Sequence, residues 1–224
     1  MLIRRSACFA SLLAALTTVA GGQNPIRHPA DAVEARFARS QPIVHYAIRV
    51  DSSNLSAFAV EMNVRNAPDT FRLAMSAHPE YDDKYWRYLE DLRIESRGGA
   101  ATIARIDSSL WRVRAPGGEA TLRYRIHLPT DEGARPAWKP FLSPTGGLIG
   151  GPHSFMYIVG STLAPAHVTV TVPNSWQIAT GLTPTSDPRT FFAPTFDNLV
   201  EGPIFAGRFQ SWRFFVDGVP HRVV

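Results

Sequence analysis

The stretch Pro42–Met75, PIVHYAIRVDSSNLSAFAVEMNVRNAPDTFRLAM, decides the fold. Tyr46, Ile48 and Val50 alternate with His45, Ala47 and Arg49. Phe58, Val60, Met62 and Val64 repeat the alternation, and Phe71, Leu73 and Met75 repeat it again. A period of two over successive short runs predicts antiparallel strands with one face buried and one face wet.

The same signal continues downstream. Strands are predicted over Thr102–Ile106, Leu110–Arg114 and Ala120–Leu128, with Pro116-Gly117-Gly118 as a turn. Further strands are predicted over Ser154–Val159, Val168–Val172, Gln177–Thr180, Thr190–Ala193 and Ile204–Phe209. Trp212, Phe214 and Val216, followed by Asp217-Gly218, read as a closing β-hairpin. Tyr81, Tyr85, Tyr88, Leu89 and Leu92 recur at helical spacing, with Pro79 ahead and Asp82 and Asp83 in the first turn, so one short helix is expected near 81–92. Pro129–Pro152, rich in Pro and Gly, reads as a long irregular segment. The fold class expected is all-β, mainly an antiparallel β-sandwich with one short helix.

Composition agrees with this class. Eighteen Pro and sixteen Gly favour turns, and thirteen Phe, six Tyr and five Trp suit pleated sheets. Residues 1–22 have the form of a signal peptide, with Arg4 and Arg5 ahead of an apolar run from Ala7 to Ala20. The expected organisation is a signal peptide over 1–22, a leading segment over 23–40 and the β-sandwich over 41–224. Export to a periplasmic or extracellular space follows as an expectation, with no membrane anchor after cleavage. The single Cys, Cys8, lies in the leader, which leaves the mature chain without a disulfide or a thiolate ligand. The net charge of +4 includes Arg4 and Arg5, and the remaining arginines are scattered among acids. That pattern gives no nucleic-acid footprint.

The search for chemistry is mostly negative. None of the seven His stands in H-E-x-x-H or in a close pair, and His28, His45, His127 and His167 read as surface or locally bonded side chains. His78-Pro79-Glu80-Tyr81-Asp82-Asp83 is the densest polar cluster, but it lacks the Gly of a calcium loop and reads as a helix start. No G-x-S-x-G selects a nucleophilic serine. Asp107, Asp131, Glu132 and Asp197 could furnish a glycosidase pair only at a separation that sequence does not measure. Tyr81, Tyr85, Trp86 and Tyr88 suggest either a carbohydrate platform or core, with core the commoner outcome at that spacing.

Gly146-Gly147-Leu148-Ile149-Gly150-Gly151 is not followed by the Lys-Ser or Lys-Thr of a phosphate cradle. It reads instead as a place of close backbone approach, with packing as the commoner role. Together with Trp138, His153 and Ser154, the glycines Gly146, Gly147, Gly150 and Gly151 form a candidate interaction loop.

Several phrases together carry a family resemblance. They are Trp111 in DSSLWRV, Tyr124 in LRYRIHL, Phe155 and Tyr157, WQIATGL over 176–182, LVEGPIFAG over 199–207, and Asp217-Gly218-Val219-Pro220-His221. From about Val44 to Val224 the chain resembles the N-terminal domain of the glycyl aminopeptidase (M61) family of zinc metallopeptidases. Two departures are visible: Glu201 stands where the family usually has Asp, and SAHPEYDDKYW replaces a "P-x-W-x-P-G-x-Y" phrase, keeping only Pro79 and Tyr81. The family's zinc ligands and catalytic Glu lie on a helical domain with H-E-x-x-H, and no residue of this sequence matches them. The resemblance therefore implies a non-catalytic β domain, without a cofactor of its own, that packs on a zinc catalytic domain and walls its cleft. Its implied partners are a peptidase catalytic domain or a peptide substrate. The alternative is a stand-alone secreted module binding carbohydrate, peptide or a partner protein.

Overall fold

The computed structural model describes residues 41–76, 84–97, 99–128 and 139–224. Among the described residues seventeen strands form three sheets and a hairpin. The first three are β1 (Ile43–Arg49), β2 (Ala57–Arg65) and β3 (Thr70–Met75). After them come β4 (Leu89–Glu95), β5 (Thr102–Arg105), β6 (Leu110–Arg114) and β7 (Ala120–His127). Next are β8 (Phe141–Ser143), β9 (Gly146–Gly150), β10 (Met156–Ile158) and β11 (Ala166–Thr171). Then come β12 (Gln177–Thr180), β13 (Thr183–Pro184), β14 (Thr190–Ala193) and β15 (Ile204–Gly207). The last two are β16 (Trp212–Val216) and β17 (Val219–Val223).

The principal sheet has the order β13-β14-β11-β1-β2-β7-β4. Its pairs are antiparallel except β1 with β11, which run parallel. A second sheet, β10-β3-β6-β5, covers its inner face. The alternation read from sequence is the reason. Tyr46, Ile48, Val60, Met62, Leu122 and Ile126 point inward from the first sheet, and Leu73, Trp111 and Val113 meet them from the second. The rings of Tyr46 and Phe155 meet edge to face across this core, 4.9 Å between centroids. A third sheet, β12-β15-β9-β8, adds Ile149, Ile204 and Ala206 to the same core.

The only α-helix among the described residues is α1 (Phe196–Glu201). Thr195 caps it: its hydroxyl accepts a hydrogen bond from the Asn198 N–H at 3.2 Å. Phe196 and Leu199 turn inward and anchor the helix.

The helix expected near 81–92 is corrected by the structure. Residues 81–83 lie outside the described residues. Beyond them the chain makes a single 3-10 turn, Tyr85–Tyr88, and enters strand β4 directly. The mimicry has a physical cause. A 3-10 turn places Tyr85 and Tyr88 on one side at a spacing of three. A β-bulge between Glu90 and Arg93 then inserts an extra residue, so that Leu89 and Leu92 both turn toward the core. Asp91 takes the left-handed conformation that the bulge needs, φ 53°. A turn followed by a bulged strand thus carries apolar spacings of three and four, the signature of a helix.

The segment expected to be irregular over Pro129–Pro152 is also corrected where it is described. Residues 139–152 hold β8, β9 and a tight turn. Gly and Pro content masked strands whose side chains are replaced by backbone contact. The closing hairpin is as predicted: Asp217 (φ 49°) and Gly218 (φ 78°) make the two-residue turn that favours Asp-Gly.

Candidate functional site

The candidate interaction loop falls in the interior. Gly147 and Gly150 lie on β9, between β8 and β15, where there is no room for a side chain. A Cβ at Gly147 would stand 2.1 Å from the Phe141 carbonyl oxygen, and one at Gly150 would stand 2.5 Å from Ile204 Cγ1. Gly146 pairs with Gly207 at the end of the same ladder. Gly151, His153 and Ser154 follow in a buried turn. His153 and Ser154 are both 0% exposed and are the only buried polar residues among those described. Trp138 lies outside the described residues.

This turn is knotted to the sandwich by hydrogen bonds. Ser154 Oγ donates to the Ile149 carbonyl at 3.0 Å, and the Ser154 N–H donates to the Gly151 carbonyl at 3.0 Å. Tyr124, from β7, donates its hydroxyl to the Ser154 carbonyl at 2.8 Å and accepts from the Met156 N–H at 3.4 Å. Tyr46, from β1, donates to the Met156 carbonyl. The His153 ring stands 6.5 Å from that of Tyr85. Burial raises the pKa of both tyrosine hydroxyls well above the ordinary value, which keeps them protonated as donors. Three sheets therefore meet at residues 149–156, and the bonds found there are the ones a packed junction requires.

The aromatic platform is not assembled as a surface. Tyr85 and Tyr88 are buried, Trp86 is half-buried beneath the Arg105 guanidinium, and Tyr81 lies outside the described residues. The histidines are dispersed. His45 and His167 meet edge-on, 6.4 Å apart, and His45 Nε2 lies 2.9 Å from Thr169 Oγ1. His127 stands 3.9 Å from Glu90. No group of three or more His, Cys, Asp or Glu able to hold a metal occurs among the described residues.

Two surface features remain. One is the β16–β17 hairpin, in which every residue is exposed. The pairs Trp212–Val223, Phe214–His221 and Val216–Val219 share one face, and Phe215 on the other face is 72% exposed. Beside the hairpin, Ile178, Leu182, Phe191, Phe205, Arg222 and Val224 line an apolar depression of about 400 Å³. Arg222 Nη2 reaches Gln177 Oε1 at 3.4 Å and ties the hairpin to β12.

The other is a depression of about 520 Å³ on the outer face of the principal sheet, floored by Ala47 and Ala59. Arg49, Arg93, Arg123 and Arg125 surround it, with Glu61 and Asp91. Sequence reading missed it. Each arginine sits at an outward position of its strand, but only the register brings the four together.

The fold and these surfaces define a class: a β-sandwich domain with a buried polar junction and an exposed apolar hairpin. The chain matches the peptidase M61 N-terminal domain over residues 45–208, and it belongs to that family. It is similar in fold to an aminopeptidase N family protein from Idiomarina loihiensis, with TM-score 0.69 and 18% identity over 80% of this chain. It spans only 32% of that protein's length. A weaker likeness joins it to an M1 zinc metallopeptidase from Deinococcus radiodurans, with TM-score 0.41 and 16% identity over 78% of this chain and 43% of that one. Among curated proteins none matches.

Proposed function

We propose that this chain is an exported, non-catalytic β domain that packs on a zinc peptidase domain through its β16–β17 hairpin and helps to wall the substrate cleft. The observation that carries the reading is the hairpin itself. An isolated two-stranded ribbon is marginal in water. This one presents Trp212, Phe214, Val216, Val219 and Val223 to solvent on one face and Phe215 on the other. A contiguous apolar face of this kind marks an interaction surface. It lies immediately beyond the segment, 45–208, that defines the family. Family membership supplies the partner's class, because the M61 N-terminal domain is named for its place in a peptidase. The zinc and the catalytic groups of that reading belong to the partner domain.

The test is a binding titration of this chain against an M61 peptidase domain from the same genome. Saturable binding that Trp212→Ser/Phe215→Ser weakens at least about tenfold is expected, the loss of two aromatic anchors being worth that much or more. Binding that the variant leaves intact, or no binding at all, overturns the proposal. Export has its own test: mass spectrometry of the secreted protein should find an N-terminus close to Gly21.

The reading as a carbohydrate module loses its main support, since Tyr85 and Tyr88 are buried.

A further inference from the structure

The depression on the outer face of the principal sheet is built by two adjacent cross-strand rows. In the first row Thr171, Arg49, Ala59, Arg125 and Glu90 stand side by side on five neighbouring strands. In the second row the sequence is Thr169, Ala47, Glu61, Arg123 and Arg93. Ala59 separates Arg49 from Arg125, so their Cα atoms lie about 10 Å apart, two strand spacings. Ala47 and Ala59 are diagonal neighbours, and their short side chains make the floor. Long side chains on a floor of alanines enclose a recess where a uniform row would have made a flat wall.

The four arginines are not equivalent. Arg123 is fixed by Glu61 at 2.8 Å and Glu95 at 2.7 Å. Arg125 lies 3.9 Å from Asp91. Hydrogen bonding by Asn63 and then by Arg123 holds the Glu61 carboxyl below its usual range, so Glu61 stays charged. The guanidiniums of Arg49 and Arg93 make no ion pair or hydrogen bond among the described residues, and both side chains are exposed. The bulge in β4 makes this arrangement. It shifts the phase of the strand so that Leu92 and Ile94 face the core and Arg93 faces outward.

Glu61 and Asp91 line the recess with the four guanidiniums, and Glu95 and Glu90 stand beside Arg123 and Arg125. The acids are thus committed to those two arginines, and the charges left without a partner among the described residues are those of Arg49 and Arg93. Arg49 and Arg93 stand at its two ends, three strand spacings apart, or about 15 Å between Cα atoms. A compact anion of high charge density would meet Glu61 and Asp91 at close range. An anion whose charges are separated would pair one end with each unpaired guanidinium, whose planar fork matches a carboxylate in two hydrogen bonds.

We propose that this outer-face depression is a binding site for a ligand carrying two separated carboxylates, one taken by Arg49 and the other by Arg93. Arg123, clamped between Glu61 and Glu95, forms the fixed wall between them. The site is independent of the hairpin and of any peptidase partner. An acidic peptide segment and a free polycarboxylate share this chemistry.

The experiment is an amide-resolved NMR titration of the full chain at low ionic strength with tri-glutamate, with citrate and with inorganic phosphate. At least one of the two carboxylate probes should shift Ala47, Arg49, Ala59 and Arg93, and the tighter of the two identifies the source. Arg49→Gln/Arg93→Gln should weaken that probe by about tenfold or more with an unchanged melting temperature. The control is Arg72→Gln/Arg112→Gln, an exposed cross-strand arginine pair on the opposite sheet, which should leave the affinity unchanged. The proposal is overturned if neither carboxylate probe shifts this face. It is also overturned if the control pair weakens binding equally, or if phosphate binds as tightly as the carboxylates.

Discussion

Replacing Tyr124 with Phe tests whether the buried junction holds the sandwich together. The substitution removes one oxygen and leaves the ring in place, so it opens almost no cavity. It deletes the hydroxyl that donates to the Ser154 carbonyl at 2.8 Å and accepts from the Met156 N–H at 3.4 Å. A neutral hydrogen bond contributes about 1 kcal/mol net, and a carbonyl stranded in the core costs about 1–3 kcal/mol. Ser154 is wholly buried, so bulk water does not compensate. The 3.4 Å contact is long and adds little. The expected loss is therefore about 2 kcal/mol, a fall of roughly 4–8 °C in melting temperature for a domain of this size. Calorimetry or thermal circular dichroism measures it. Tyr157→Phe is the control: the Tyr157 ring packs on Phe196, and its hydroxyl makes no hydrogen bond among the described residues, so a change within about 0.5 kcal/mol is expected. Tyr46→Phe should couple to Tyr124→Phe, because both hydroxyls bind the 154–156 segment, and the double variant should depart from additivity by about 0.5 kcal/mol or more. A Tyr124→Phe protein melting within about 1 °C of wild type would refute the claim that this junction carries stability.

The same tyrosines make stability fall in alkali. Their hydroxyls have raised pKa values when folded, so their contribution is complete below the unfolded value near pH ~10 and is lost as pH rises from there toward the folded values. Urea titrations above pH ~10 should show a loss of up to about 2.7 kcal/mol per pH unit for the two groups together, and Tyr46→Phe/Tyr124→Phe should flatten that slope. A slope unchanged in the double variant would count against burial as the cause. Gly147→Ala should cost about 3 kcal/mol or prevent accumulation of folded protein, because its Cβ would meet backbone oxygen at 2.1 Å. Gly181→Ala, with nothing within 4 Å, should be neutral or slightly stabilising by comparison in the same denaturant melt.

The strands β1, β2, β3, β6 and β7 were legible because one face of each is buried and the other wet. That asymmetry prints a period of two on the residues themselves. It also places Arg49, Arg93, Arg123 and Arg125 on outer faces, although Arg93 does so only through the bulge. Turn chemistry at Asp217-Gly218 was equally local, since it depends on two backbone angles. Family membership was legible from phrases such as WQIATGL and LVEGPIFAG.

The rest needed three dimensions. Tyr85, Tyr88, Leu89 and Leu92 carry a helical spacing, but a 3-10 turn and a bulge produced it, and nothing in the spacing separates the two cases. The glycines of β9 looked like a loop because Gly favours turns, whereas here they permit backbone to approach backbone between β8 and β15. The buried junction joins Tyr46, Tyr124, Ile149, Ser154 and Met156, positions separated by up to 110 residues, and only sheet order and register bring them within hydrogen-bonding reach. The outer-face depression depends on the same register, because its alanine floor and its four arginines come from four strands. By itself the sequence determined which face is buried in the strands that it marks with a period of two, because side-chain hydrophobicity is a local property. Tertiary structure alone decided which strands are neighbours, because pairing depends on backbone hydrogen bonds that every residue offers alike.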